Sequence, residues 1–296
     1  MKKLKSILCI TFAFILTAIV LCACGINNKE NNRVGTKTTI SLAEAERIIV
    51  KALAIDNNQL QTQSTRGMVL QAADASEGNR DIFEKLGRFD ISQYTYWMNA
   101  ETNEEQSNFS FTGKALYHNG FEICWMNKSI HGPERYWTNG EQFGLTDPIN
   151  YKTTEFSEEF TCYQELFEEE TFDSIYNDKA TKEINKDGYS ITLHGDLKSY
   201  MLYLHQDWEL YQEFIKDYSE YFDKCHFDVT VTVDGNNDAI SATVDLVMID
   251  KIDENGTVGL QSNLLRFIKT NEPITEPEWV RNYKLTDEYK NKISNQ

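Results

Sequence analysis

Cysteine and histidine, the residues that most often carry chemistry, are few in this chain and widely spaced. Beyond the N-terminal segment the cysteines are Cys124, Cys162 and Cys225, and three thiols this far apart predict no disulfide framework. The five histidines include no pair three or four residues apart, so no helix would present two of them together. Cys225 and His226 are adjacent and would point to opposite faces of a strand. We therefore expect free thiols and no bound metal.

Sequence patterns of known catalytic sites are also missing. The chain has no Gly-x-Ser-x-Gly, no His-Glu-x-x-His, no phosphate-binding glycine loop and no dinucleotide fingerprint. Asp234 to Asp238 has the letters of a calcium loop, but Ala239 stands where glycine is required and Asp245 where glutamate is required. A hairpin turn explains that stretch better. The acidic run 168–170 would spread around a helix and indicates a solvated face. The sequence thus predicts no cofactor, no metal site and no enzymatic activity.

The charge balance excludes one class of partner. Lys and Arg number 29 and Asp and Glu number 46, which gives a formal charge of −17. Binding to a phosphate backbone requires a basic surface, so we expect no nucleic-acid partner. Apolar residues make up 41% and charged residues 25%, as is typical of a globular protein.

The first 23 residues have the pattern of a secretory signal peptide. Three lysines precede an uncharged apolar run over residues 7–23. The run ends in Leu21-Cys22-Ala23-Cys24, which resembles a bacterial lipobox with Cys24 as the residue that receives the diacylglyceryl group. An uncleaved anchor is the alternative, because 17 residues are near the minimum needed to span a bilayer. In both cases we expect the body on the extracytoplasmic face of the cell membrane.

Cleavage before Cys24 defines the expected domain organisation. The mature chain would keep 26 basic and 46 acidic residues, a formal charge of −20. An anionic leaflet would repel such a body, so the acyl chains must hold it at the membrane. We expect a lipidated cysteine and flexible tether over 24–40, a single domain over 41–285 and a polar tail over 286–296.

Helical periodicity occurs in three stretches. Ser41-Leu42-Ala43-Glu44 has the form of a capping box and opens a helix predicted over 42–55. An aromatic stripe predicts a second helix over 157–177. Apolar residues at alternating spacings of four and three predict a third, over 197–223. The third stripe is wide and mostly aromatic, which favours a helix lying on a sheet over a coiled coil.

Alternating apolar residues and tight turns predict antiparallel strands elsewhere. We expect a strand near 64–74, a meander over 91–145, a hairpin over 179–196 and a three-strand meander from 226 to 268. The predicted fold class is α+β, with a single curved antiparallel sheet of about eight strands, a half-barrel, and about three helices packed on one face. A two-lobed solute-binding protein is the main rival and would require βαβ units.

The order of these elements resembles the LolA-like and LppX-like half-barrel lipoproteins, in particular uncharacterised lipoproteins of Gram-positive bacteria with that shape. The features that carry the resemblance are the lipobox, the helix start at Ser41, the turns Tyr117-His118-Asn119-Gly120 and Trp137-Thr138-Asn139-Gly140, and the ending Ile274-Thr275-Glu276-Pro277. In that family a curved sheet wraps helices, and the gap between them takes acyl chains or other amphiphiles. The resemblance implies such a gap here and no catalytic residue.

We expect this cavity between the concave face of the sheet and the helix over 197–223. Its helical wall would consist of Met201, Leu204, Trp208, Tyr211, Ile215 and Tyr218. The expected function is non-enzymatic binding of an amphiphilic or hydrophobic ligand, neutral or cationic at its exposed end, by a membrane-anchored lipoprotein. Two alternatives stay open: a structural or interaction lipoprotein of the envelope without a cavity, and an enzyme that acts on envelope polymers.

Overall fold

An open antiparallel sheet with helices packed against it forms the folded part of the chain. A computed structural model describes residues 34–54, 80–128, 134–138, 141–144, 151–152, 163–203, 207–252 and 254–294. Within these ranges twelve strands join in one sheet, and each hydrogen-bonded pair is antiparallel. The predicted α+β class is confirmed, with more strands than the eight or so expected.

The secondary structure runs as follows. The helices are α1 Leu42–Leu53, α2 Ile82–Leu86, α3 Glu169–Ile175, α4 Leu197–Tyr203, α5 Trp208–Ile215, α6 Glu278–Lys284 and α7 Asp287–Ser294, with a 3-10 helix at Lys216–Lys224. The strands are β1 Lys37–Ser41, β2 Arg88–Asn99, β3 Glu105–Tyr117, β4 Phe121–Lys128, β5 Arg135–Thr138, β6 Glu141–Gly144, β7 Tyr151–Lys152, β8 Tyr176–Asn185, β9 Gly188–Gly195, β10 His226–Asp234, β11 Ala239–Ile252 and β12 Val258–Lys269.

The strand order joins two meanders side by side. The sheet runs β1-β8-β9-β10-β11-β12-β2-β3-β4-β5-β6-β7. Most neighbours are consecutive hairpins, and Asn119 (φ 50°) and Asn237 (φ 67°) provide the left-handed backbone that two of the turns need. The long pairing of β12 with β2 runs from Gly259 opposite Asn99 to Lys269 opposite Phe89. The predicted meanders and hairpin are confirmed; the strand predicted near 64–74 lies outside the described residues.

The first helix begins where its capping box predicts. The Ser41 hydroxyl accepts a hydrogen bond from the Glu44 amide at 3.2 Å, and the helix ends at Leu53 instead of residue 55. The segment just before it was expected to belong to the tether. Residues 37–40 are instead part of β1, because their main chain pairs with that of β8.

Four helices pack on the same face of the sheet, here called the first face, which carries Phe89, Val229 and Phe267. Each contributes buried side chains to one core, among them Ile49 of α1, Phe83 of α2, Phe172 of α3 and Tyr200 of α4. The Phe83 ring lies 4.9 Å from that of Phe267. This edge-to-face contact packs α2 against β12.

The helix predicted over 157–177 is wrong at its end and in its continuity. Residues 157–162 lie outside the described part of the chain. The α-helix proper covers Glu169–Ile175, and Glu168 before it has extended backbone (ψ 153°). Tyr176 then begins β8, where it pairs with Gly195 of β9; its ring is buried and its hydroxyl donates to the Leu166 carbonyl at 3.0 Å.

The helix predicted over 197–223 is also wrong in its continuity. Asp207 is extended (ψ 95°), and its carboxylate accepts from the Leu210 amide at 2.9 Å, so α5 starts anew at Trp208. An aspartate in this position caps a new helix better than it continues an old one. After Ile215 the chain tightens into the 3-10 helix, where Tyr218 departs from helical geometry (φ −124°).

The segment after this break packs on the opposite side of the sheet, here called the second face. Phe227 pairs with Leu246 on the first face, so the neighbouring pair His226 and Val247 lies on the second. Ile215 of α5 is buried there in one cluster with Val247, Ile249 and Leu260.

The segment predicted as a polar tail contains the helix α7, which follows α6. Val280 and Tyr283 of α6 bury their side chains against Tyr136 and Phe143 of the sheet. In α7, the Tyr289 ring lies 6.2 Å from that of Phe143. This aromatic contact explains why the tail folds back.

Candidate functional site

The residues expected to form one cavity wall lie on separate elements. Met201 is in α4, Trp208, Tyr211 and Ile215 are in α5, Tyr218 is in the 3-10 helix, and Leu204 lies outside the described residues. Because the helix breaks at Asp207, these side chains do not share one helical face.

Two α5 members of this set, Tyr211 and Ile215, pack against the sheet. Ile215 is 2% exposed, and the Tyr211 hydroxyl donates to the Ile249 carbonyl at 3.0 Å. Burial raises the pKa of Tyr211, which keeps its hydroxyl protonated as a donor. At these positions the side chains fill a core.

A polar groove of about 600 Å³ lies beside the start of β8. It is lined by Ser174, Ile175, Tyr176, Asn177, Asp178, Lys179, His194, Asp196 and Ser199. The pairing of β8 with β9 shifts register between Tyr176 and Ala180, and such a bulge locally bends a strand. The lining mixes acids, a lysine and hydroxyls without a dominant charge.

A chain of hydrogen bonds runs across three strands next to this groove. Thr181 Oγ1 lies 2.8 Å from His194 Nε2, and His194 Nδ1 lies 2.9 Å from Asp228 Oδ1. The distances match those of a nucleophile, a base and an orienting acid. However, Thr181 pairs with Thr39 on one side and Thr192 on the other. In a strand that is paired on both sides, the backbone amides donate to the neighbouring strands. They are therefore not available to stabilise an oxyanion next to Thr181.

The same ladder continues with a second acid and a second histidine. Asp228 pairs directly with Asp245, and His226 Nε2 lies 3.5 Å from Asp245 Oδ1. The hydrogen bond to Asp245 raises the pKa of His226, which favours its charged form between the two carboxylates. This arrangement balances charge across the strands.

The described residues include potential metal ligands and free thiols. Within them no group of three or more His, Cys, Asp or Glu side chains is placed to hold a metal ion. Cys124 is buried, and burial raises the pKa of the partly buried Cys225 thiol, which lowers its reactivity. Cys24 and Cys162 lie outside the described part of the chain.

No described helix has both the length and the apolar character needed to cross a membrane.

One patch of the first face combines aromatic rings with amide side chains. We call it the amide platform and define it by Gln93 and Thr95 of β2, Phe109 and Phe111 of β3, and Asn263 of β12. Asn263 lies opposite Thr95, which lies opposite Phe109, and Gln93 lies opposite Phe111. All except Thr95, which is 3% exposed, are partly exposed. Few convergent polar groups among apolar side chains are typical of a ligand site.

Sequence reasoning did not single out the polar members of this platform. The period of β2 places Gln93 and Thr95 on the same face as Ile91, which is buried in the core. Two polar residues at inward positions of a strand are the signal that could have found the site, because such groups need partners.

Comparison with known proteins leaves the function to be argued from the chain itself. No protein-family model matches the chain, and no match is found among curated proteins. The resemblance to half-barrel lipoproteins therefore stays a hypothesis.

Proposed function

We propose that the protein is a lipoprotein anchored through Cys24 to the extracytoplasmic face of the cell membrane, where its folded body binds an amphiphilic or hydrophobic ligand without catalysis. The observation that carries the proposal is the amide platform. It offers partly exposed rings of Phe109 and Phe111, whose centroids lie 6.2 Å apart, beside a hydrogen-bonded polar group. An apolar surface with a small fixed polar centre suits a molecule that has both characters.

The anchor is supported by the order of residues before the folded part. A charged start, an apolar run and the lipobox-like Leu21-Cys22-Ala23-Cys24 precede a polar stretch. Two acyl chains on Cys24 give stable membrane residence. In Cys24→Ala, labelling with radioactive palmitate should vanish and the precursor should persist. Labelling equal to that of the wild type would contradict the anchor.

Ligand binding is tested with the full-length lipoprotein in lipid nanodiscs and a fluorescent acyl probe. Phe109→Ala should weaken probe binding about tenfold, because it removes one ring of the platform. Phe222→Ala is the matched control, since Phe222 is 40% exposed on the 3-10 helix. Empty nanodiscs correct for partition into lipid. Equal affinities of the two variants, each shown by urea unfolding to be folded, would refute the proposed site.

A second candidate function is an interaction lipoprotein without a small ligand. Leu210 is 67% and Phe214 42% exposed, and their spacing of four puts them on one side of α5, next to exposed Glu209 and Glu213. Such a ridge suits a protein partner with apolar and basic side chains. A photo-cross-linker at position 210, but not at exposed Ser219, should then yield one defined product in intact cells.

A further inference from the structure

The polar members of the amide platform hold one another in fixed orientations. Asn263 Oδ1 accepts from Gln93 Nε2 at 2.9 Å and from Thr95 Oγ1 at 3.2 Å. Gln93 Nε2 also donates to Thr95 Oγ1 at 3.1 Å. Because Thr95 is almost fully buried and is directly opposite Asn263, the network fixes which end of each carboxamide points inward.

Among the residues that the structure describes, this arrangement leaves one donor group and one acceptor without partners. A carboxamide offers an NH2 group and a carbonyl oxygen, and the network uses only Oδ1 of Asn263 and only Nε2 of Gln93. Within the described part of the chain, Asn263 Nδ2 and Gln93 Oε1 make no hydrogen bond. Both residues are partly exposed, so the two atoms are available to a ligand.

Among the described residues, the immediate strand neighbours of these two groups are uncharged, and charged residues lie one position further out: Lys128 pairs with Phe111, and the Asp250 carboxylate accepts from Trp97 Nε1 at 2.9 Å. The residues that flank the network by strand pairing, or two positions along the same strands, are Ile91, Trp97, Ser107, Phe109, Phe111, Gly113, Val244, Leu246, Met248, Gln261 and Leu265. A charged head group placed between the two carboxamides would lose hydration, and the groups it meets directly there, Asn263 Nδ2 and Gln93 Oε1, are both neutral. A neutral head group that can both accept and donate would satisfy Asn263 and Gln93 together.

We infer that the amide platform binds an uncharged amide group, whose carbonyl oxygen accepts from Asn263 Nδ2 and whose N–H donates to Gln93 Oε1. The inference rests on the proposed ligand-binding function and names the chemical class of the head group. The apolar part of the ligand lies against Phe109, Phe111 and Leu246. An N-acyl lipid and an apolar peptide both carry such a group.

The test compares an amide with its ester, which keeps the carbonyl but has no N–H. The probes are N-methyldodecanamide and methyl dodecanoate, titrated against the full-length protein in nanodiscs. The wild type should bind the amide about fivefold more tightly than the ester. Acetyl-dileucine methylamide is the third probe: binding tighter than that of the lipid amide assigns the peptide source, and weaker binding assigns the lipid source.

Two variants give different signatures if the assignment of roles is right. Gln93→Leu should bring the amide-to-ester ratio to about one, because only the amide N–H contacts Gln93. Asn263→Leu should weaken the amide and the ester alike. Asn108→Leu is the matched control, because Asn108 lies on the opposite face and its side chain is exposed; it should leave both affinities unchanged.

The outcomes separate this inference from the function on which it rests. Equal wild-type affinity for amide and ester, with both weakened by Phe109→Ala, would overturn amide recognition and leave ligand binding in place. An amide preference that survives Gln93→Leu would overturn the assigned roles. No binding of any probe would overturn both the inference and the proposed function.

Discussion

The hydroxyl of Tyr211 donates a hydrogen bond to the main-chain carbonyl of Ile249, 3.0 Å away on the second face of the sheet. This contact ties α5 to β11 at a position where an open cavity was expected. Tyr211 therefore has two separable roles, as a hydrogen-bond donor and as a ring packed beside Ile215.

Substitutions at Tyr211 should distinguish a packed core from a cavity wall. Tyr211→Phe keeps the ring and should lower the free energy of unfolding by about 1 kcal/mol. Tyr211→Ala should cost about 2–4 kcal/mol, somewhat less than a fully buried ring. Urea unfolding measures both. A loss below about 0.5 kcal/mol for the alanine variant would instead indicate an empty space beside α5.

A tight contact between Gly195 and Phe227 gives a second prediction. The two residues pair across β9 and β10, and a methyl group added at Gly195 would overlap the Phe227 ring. That ring is fully buried and stacks on Tyr200 at 4.0 Å. Gly195→Ala should therefore cost about 1–3 kcal/mol of unfolding free energy through overpacking.

The matched control for Gly195→Ala is Gly235→Ala. At Gly235 the nearest atom to an added methyl group is the Asp187 carbonyl oxygen, at an ordinary 3.7 Å. The control should change the unfolding free energy by less than about 1 kcal/mol. In the Gly195→Ala background, Phe227→Leu should cost less than it does alone, because it makes room. Additive losses in that double variant would contradict the steric explanation.

The sequence predicted those parts of the fold that depend on local patterns. Val229, Val231 and Val233 alternate with polar residues, and short turns fix which strand comes next, so the meanders followed directly. The pairing of β12 with β2 could not be predicted from local alternation and turns. It joins segments more than 150 residues apart, and no local signal specifies that contact.

The predicted cavity wall was wrong because one capping residue interrupts the helix. The apolar spacing through residues 197–223 favoured one helix, but the Asp207 carboxylate accepts from the Leu210 amide and starts a new one. The periodicity argument uses only the spacing of apolar residues. It does not detect a single polar side chain, such as that of Asp207, that caps a new helix within the pattern. Thr95 and Asn263 meet only through the distant β12–β2 pairing, so the inward polar residues of β2 marked a position that needs a partner without indicating which residue supplies it.

The buried ammonium group of Lys85 provides a third prediction. Its Nζ donates to the Ala54 carbonyl and to Asp238 Oδ1, both at 2.6 Å, and its side chain is 5% exposed. Lys85 thus links the end of α1, the helix α2 and the start of β11. Asp238→Ala would leave the charge buried without its counterion, and we expect a loss of about 2–4 kcal/mol in unfolding free energy.

Lys85→Met removes the charge and keeps most of the volume, so the double variant with Asp238→Ala should be more stable than Asp238→Ala alone. A double-mutant cycle by urea unfolding measures the coupling between the two residues. Strictly additive losses would show that the ion pair does not contribute.

The last prediction concerns pH and His226. The hydrogen bond from His226 to Asp245 raises the pKa of His226 in the folded state, and Asp228 acts in the same direction. A raised folded pKa means that the folded state binds the proton more tightly than the unfolded chain, where the value is about 6.5. The resulting stabilisation is fully present below about pH 6.5 and is lost as the pH rises through the folded pKa.

The free energy of unfolding of the wild type should therefore fall between about pH 6 and pH 8 more steeply than that of His226→Gln. Asp245→Asn should show the same flattening, because it removes the partner that raises the pKa. The His226 and Asp245 side chains are each 41% exposed, so the effect should be modest and should shrink at about 1 M salt, where charges are screened within about 3 Å. Parallel pH profiles of the wild type and His226→Gln would show that Asp245 does not stabilise the charged imidazole.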